Sequence, residues 1–193
     1  MKTRSEAWYQ DVLVPAWLEQ TGTPFQDVPR LEKIVCHMGI GKAARKKREL
    51  LGPLLWMTQH LGQKPVKTYA QSSLASFQVR RGMPVGIKVT YRKEAMYALV
   101  DVWMDQVLPA LRDFRGYEKA LWDGRGNVTF PLTEGTAWPY WNPYVDRFPA
   151  LRSFGFECTW VMKVPAARKG NAEEAKKQGQ WLCAGFQMPL LDS

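Results

Sequence analysis

The apolar residues of this chain change period several times, and each change marks an element. In residues 31–38 the side chains alternate, with Leu31, Lys33, Val35 and His37 on one side and Glu32, Ile34, Cys36 and Met38 on the other. That is the two-residue period of a strand. In residues 94–111 the period lengthens: Met96, Val100, Trp103, Val107 and Leu111 recur every three or four positions. They form one stripe on a helix. Shorter alternating runs predict strands at 65–69, 74–80, 85–92, 127–132 and 154–164. A first helix begins at Ser5, a candidate N-cap; Pro15 kinks it or ends its first part, and Gly22 and Pro24 close it. Leu50, Leu51, Leu54, Leu55 and Leu61 mark another helix, which Gly52-Pro53 breaks in the middle, and a last helix runs from about 171 to 184. Helices interspersed with antiparallel-type strands make an α+β fold. The sheet is expected to be antiparallel or mixed, with helices packed on one face. The other face is left polar and basic, a platform suited to RNA.

Charge sharpens this picture. The 193 residues carry a formal net charge of +9 and a pI near 9.6, while 46% hydrophobic and 23% charged residues are ordinary for a globular chain. A polyanion is therefore the first partner to consider. No apolar run approaches the length of a membrane span. No apolar run follows the basic residues at the amino terminus, so a secretory signal is not expected. Cys36, Cys158 and Cys183 are far apart and odd in number, with neither zinc nor disulfide-framework spacing.

The candidate chemistry lies in glycine-bounded basic segments. Leu111-Arg-Asp-Phe-Arg-Gly116 and Trp122-Asp-Gly-Arg-Gly-Asn127 place Arg112, Arg115 and Arg125 beside glycines. There a planar five-donor fork on an open backbone can meet phosphate. The run from Lys42 to Arg48 follows the Gly39/Gly41 turn and suits phosphate neutralisation. Asp113 and Asp123 have no histidine or third ligand beside them and read as turn residues. Gly39-Ile-Gly41 lacks the rest of a nucleotide loop. No nucleophile–base pair is visible, and neither a metal nor another cofactor is expected. Trp138, Tyr140, Trp141 and Tyr144, in a Pro-rich irregular stretch, could pack against a neighbouring protein.

Several motifs, taken in order, resemble one family. They are Val28-Pro-Arg-Leu-Glu-Lys-Ile34, Met38-Gly-Ile-Gly-Lys-Ala43, Gly62-Gln-Lys-Pro65, Arg80-Arg-Gly82, Lys88-Val-Thr-Tyr-Arg92, Arg112-Asp-Phe-Arg-Gly116 and Asp123-Gly-Arg-Gly-Asn127. Together they look like the universal large-subunit ribosomal protein five, in its bacterial and organellar branch. The resemblance is dense from about residue 9 to 127 and thinner beyond. It implies a structural, non-enzymatic role in the central protuberance, on 5S-type rRNA and large-subunit rRNA. It also implies nearness to the peptidyl-site tRNA, to other central-protuberance proteins and to small-subunit ribosomal protein thirteen.

The rRNA-binding residues expected on this basis are Arg30, Lys33, His37, Lys42, Arg45, Lys46, Gln63, Thr90, Arg92, Arg112, Arg115 and Arg125. The tRNA-side loop would carry Gln71, Ser72, Ser73, Ser76, Arg80 and Arg81. The chain departs from the family pattern at His37, where asparagine is usual, and in the loop Tyr69-Ala-Gln-Ser-Ser-Leu-Ala-Ser-Phe77, which has no charge. It also departs in a divergent loop at 134–147 and a charged insertion at 165–178. One domain spanning residues 1–193 is expected. The departures point to an organellar ribosome, in the mitochondrial matrix, with bacterial cytoplasm and plastid left open. The rival readings are an RNA-processing or RNA-modifying enzyme and a free tRNA- or mRNA-binding module.

Overall fold

The computed structural model describes residues 2–41, 50–60, 62–111, 114–117, 121–132, 138, 145–148, 151, 155–168 and 170–191. Its helices are α1 (Arg4–Trp8), α2 (Val14–Thr21), α3 (Leu51–His60), α4 (Glu94–Val102), α5 (Leu108–Ala110), α6 (Pro165–Arg168) and α7 (Ala172–Gly185). Its strands are β1 (Arg30–Gly39), β2 (Val66–Tyr69), β3 (Pro84–Tyr91), β4 (Val128–Leu132) and β5 (Phe156–Lys163). They form one five-stranded antiparallel sheet in the order β2-β3-β1-β5-β4, so the class is α+β. One face of the sheet is apolar: Ile34, Cys36 and Met38 on β1 and Phe156, Cys158, Trp160 and Met162 on β5 are buried. The alternate positions, among them Lys33, His37, Glu157 and Lys163, keep partial or full exposure.

Proline shapes both long helical stretches in the same way. Residues 4–21 are helical throughout, with a π turn (Tyr9–Leu13) just before Pro15. Residues 94–110 repeat the pattern, with a π turn (Trp103–Val107) just before Pro109. A proline inside an α-helix lacks an N–H and collides with the carbonyl four residues back. A widened turn relieves both. Here the Val14 N–H reaches Tyr9 O and the Leu108 N–H reaches Trp103 O, each five residues back.

By its contacts the chain divides into two units. The first comprises Met1–Ile34, Tyr91–Phe130 and Thr159–Ser193. In its core Tyr9 stacks on Tyr97 at 6.1 Å and on Phe186 at 6.2 Å, and Trp160 meets Phe130 edge-on at 5.3 Å. The second comprises Val35–Thr90 and Pro131–Cys158. Its core holds Trp56, 5.8 Å from Trp138 and 5.7 Å from Phe156.

Several sequence expectations are corrected. Residues 74–80 are not a strand. They are a tight hairpin tip in which only Leu74 and Val79 pair, through N–H···O bonds of 2.9 and 3.2 Å. Four residues make the turn, and Gln78 takes a φ of 53°. Gly52-Pro53 does not break α3, because both lie in its first turn, where a missing N–H costs nothing. Gly52 is glycine for packing: a Cβ there would stand 2.8 Å from Phe148 Cβ. Of the leucines that mark this helix, Leu50 is buried just before α3, whereas within it Leu51 and Leu55 are exposed and Trp56 and Met57 are buried; Leu61 lies outside the described residues. The first N-cap is Thr3, whose hydroxyl accepts from the Glu6 N–H at 3.3 Å. Ser5 sits inside α1 and donates its hydroxyl to Asp101. Leu111 falls just beyond α5 in extended backbone. Trp138 is buried against Trp56 and is therefore not a docking aromatic; Tyr140, Trp141 and Tyr144 lie outside the described residues.

Burial sets the alkaline limit of stability. The Tyr9 hydroxyl donates to Pro29 O at 3.0 Å, and loss of water around it pushes its pKa from 10.0 up to about 12. Burial likewise raises Tyr97, Cys158 and Cys183. These acids ionise in the unfolded chain first, so the unfolded state binds fewer protons there and stability falls as pH rises. The contribution is whole below pH 9 to 10 and is lost from there through about 12. Each group costs about 1.4 kcal/mol per pH unit in its window. The melting temperature should be flat to roughly pH 9 and fall steeply above it, and a Tyr9→Phe chain should fall less steeply above roughly pH 10.

Candidate nucleic-acid interface

In the second unit the polar face of the sheet carries a row of side chains across four strands. Thr68 on β2 is in register with Gly86 on β3. The His37 ring from β1 covers Gly86 so closely that a Cβ there would lie 2.6 Å from His37 Nε2 and 2.7 Å from Thr68 Oγ1. Glycine at this point is what lets the imidazole lie across the strand. On the other side, His37 Nδ1 stands 3.0 Å from Glu157 Oε1 on β5. The two side chains are 34% and 48% exposed, so the pair is open to solvent and adds little to stability. Lys88 and Thr90 follow Gly86 on the same parity of β3, Lys88 exposed and Thr90 half-buried. Thr90 is four residues beyond Gly86, about 13 Å along the strand, so it does not join His37. Gln63 is exposed on the turn before β2.

The hairpin between β2 and β3 is the predicted tRNA-side loop. Its base is closed by Ala70 N–H to Met83 O and Gly82 N–H to Ala70 O, both 2.9 Å. Gln71, Ser72, Ser73, Ser76, Arg80 and Arg81 are all exposed. Ser73 also has a partner within the loop, because its Oγ accepts from the Arg81 N–H at 2.9 Å. It holds the loop. The tip is apolar: Phe77 is 70% exposed and Leu74 50%.

In the first unit Arg30 is exposed at the start of β1 and Lys33 is half-buried on its polar side. Arg92 Nη1 reaches Glu32 Oε1 at 3.8 Å, with both groups about half exposed, a weak pair that leaves the guanidinium accessible. Thr129 and Thr159 share a hydrogen bond of 3.0 Å between β4 and β5. The loop 123–127 is built by one carboxylate. Asp123 Oδ1 accepts from the N–H of Arg125 at 2.9 Å and of Asn127 at 2.7 Å, and Oδ2 accepts from Asn127 Nδ2 at 2.7 Å. Asn127 Oδ1 in turn accepts from the Met162 N–H at 2.9 Å, tying the loop to β5. Arg125 stands exposed on this frame, and among the described residues its guanidinium has no acidic partner. Arg115 is exposed in a segment held by Tyr117, whose N–H donates to Pro189 O at 2.9 Å.

The structure thus brings together His37, Gly86, Thr68 and Glu157, and separately fixes Arg125 on a rigid loop. Lys42, Arg45, Lys46 and Arg112 lie outside the described residues. Sequence reasoning missed Glu157, Thr68 and Lys88. The alternation in β5 places Glu157 on the polar side with Lys163, but nothing in sequence pairs it with a residue 120 positions away. Chemically, His37, Thr68 and Arg125 can donate hydrogen bonds, Arg125 can neutralise phosphate, and the Glu157 carboxylate can only accept. Among the described residues, no three His, Cys, Asp or Glu side chains cluster to hold a metal.

Comparison with known proteins agrees with this chemistry. The family model for ribosomal protein L5 matches residues 26–80, and that for the ribosomal L5 family C-terminus matches residues 84–190. The large ribosomal subunit protein uL5 of a Synechococcus strain is 41% identical over 191 residues, covering 98% of this chain and 99% of that protein. The protein of the same name from Stenotrophomonas maltophilia is 38% identical with the same coverage. That of Clostridium beijerinckii is 42% identical over 138 residues, covering 71% of this chain and 77% of that one.

Proposed function

This chain belongs to the uL5 family of large-subunit ribosomal proteins, and we propose that it holds 5S-type rRNA in the central protuberance through the polar sheet face and the Arg125 loop. It is a structural, non-enzymatic constituent of the large ribosomal subunit, and its place is the ribosome. The observation that carries the 5S reading is the rigid presentation of Arg125. An arginine whose backbone N–H is held by Asp123, in a loop that Asp123 also ties at Asn127 through two further hydrogen bonds, and whose side chain faces water serves a polyanion better than it serves the fold. His37, standing where asparagine is usual, keeps a hydrogen-bonding ring on the same face.

The test is the salt dependence of binding to 5S-type rRNA. Each neutralised duplex phosphate adds about 0.9 to the slope of log affinity against log salt. About six contacts would cost roughly a thousandfold between about 50 and 200 mM salt. A flat response overturns the proposal. A free RNA module would also respond to salt, but would not sediment with large subunits through a moderate salt wash.

The β2–β3 hairpin is the part we assign to the peptidyl-site tRNA. Its charge comes from Arg80 and Arg81 alone, and its serines offer only neutral hydrogen bonds. In reconstituted ribosomes, changing both arginines to alanine should lower tRNA occupancy several-fold, and Ser72→Ala should leave it unchanged. Ser73→Ala removes the acceptor of the Arg81 N–H and should speed hydrogen exchange at the tip, with a smaller loss of occupancy. A large loss from Ser72→Ala with none from the arginines would reverse the assignment. Neighbouring central-protuberance proteins and small-subunit ribosomal protein thirteen complete the proposed partners. The altered loop suggests a mitochondrial ribosome; fractionation of the source cells decides between that, a plastid and a bacterial cytoplasm. No helix among the described residues is long and apolar enough to cross a membrane.

A further inference from the structure

Glu157 is the odd residue on a face meant for RNA. A carboxylate accepts hydrogen bonds and donates none, so it cannot bind phosphate, which also only accepts. It needs a donor. Beside it lies a hollow of about 310 Å³ lined by His37, Gly39, Pro131, Leu132, Gly155, Phe156 and Glu157, on β1, β4, β5 and the residue before β5. The hollow is open beside Gly39 and Gly155: a Cβ built on either would meet nothing within 4 Å. Pro131 brings an exposed apolar ring to the same side. The His37 Nδ1 contact at 3.0 Å steadies the carboxylate. A carboxylate offers about four lone-pair positions, so most remain available.

We propose that this hollow receives one unpaired guanine of the bound RNA, recognised by Glu157. Rooms of this kind suit a base splayed out of a loop or bulge, stacked on apolar surface and read along its hydrogen-bonding edge. Guanine is the base with two adjacent donors on one edge, N1–H and the exocyclic amine, matching the two carboxylate oxygens. Uracil presents one donor between two acceptors, which the carboxylate repels. The inference rests on the reading that the chain binds rRNA, and it adds a base-specific contact to a phosphate-directed surface.

The experiment measures affinity, by fluorescence anisotropy at fixed salt, for four hairpins of one length: fully paired, with a bulged guanosine, with a bulged uridine, and with an abasic bulge. The wild-type chain should prefer the guanosine bulge to the uridine and abasic bulges by about tenfold or more. Glu157→Gln should retain the wild-type melting temperature and its affinity for the paired hairpin, while the preference collapses to under about threefold. Equal binding of all three bulges by the wild type overturns the proposal, and so does a preference that survives Glu157→Gln. An abasic bulge bound as tightly as the guanosine bulge would mean that Glu157 meets ribose, which also overturns it. Failure of the underlying reading looks different: neither 5S-type rRNA nor any hairpin would bind at low salt.

Discussion

A Gly179→Ala chain should lose about 3 kcal/mol of stability, the upper end for forcing one methyl into a packed site. Helix α7 crosses the 122–127 loop so closely that a Cβ on Gly179 would stand 2.5 Å from Trp122 Cζ3 and 2.6 Å from Gly126 O. An indole edge can give way a little, but the carbonyl belongs to a loop already tied to Asp123. The approach is tight from the other side as well: Gly126 takes a φ of +81°, and a Cβ there would lie 2.6 Å from Ala175 O. For a chain of this size each kcal/mol shifts the melting temperature by about 2–4 °C, so a fall of roughly 6–12 °C is expected. Gly124→Ala is the control, because its Cβ would meet Ala172 Cβ at an ordinary 3.8 Å. Equal melting of the two variants would show that α7 and the loop are not pressed together.

Asp123→Ala and Arg125→Ala should separate folding from binding within that loop. Asp123 accepts three hydrogen bonds from Arg125 and Asn127. Its loss should cost about 2–3 kcal/mol, since each net hydrogen bond contributes roughly 0.5–1.5 kcal/mol. Affinity for rRNA should fall with it, because the arginine loses its frame. Arg125→Ala should leave the melting temperature within about 1 °C, as expected of an exposed side chain. It should weaken rRNA binding and lower the salt slope by about one contact. If Arg125→Ala instead abolishes the cooperative melt, the arginine serves the fold and its assignment to RNA falls.

Much of the fold is legible along the chain because it depends on local period. The Met96, Val100, Trp103 and Val107 stripe is buried as the helical spacing requires. The alternation at Ile34, Cys36 and Met38 finds the core side of β1. The errors have physical sources of equal clarity. Residues 74–80 alternate weakly, and a turn with Gln78 at positive φ won over strand pairing. Gly52-Pro53 reads as a breaker only when its position within the helix is unknown. Leu51 and Leu55 have the hydrophobicity of a core face, yet Trp56 and Met57 occupy it.

The same division runs through the candidate site. Sequence alone determined the α+β class, the excess of positive charge and the family resemblance, because composition, period and ordered motifs are properties of the chain itself. It also marked Arg125 and His37 as candidates. Only the tertiary structure decided what those residues face. Glu157 meets His37 across 120 positions, Gly86 yields its space to the imidazole, and Ser73 turns back on its own loop. These relations depend on which strands become neighbours. Strand order follows from how the apolar faces of the whole chain are buried together, and no local window of sequence contains that information.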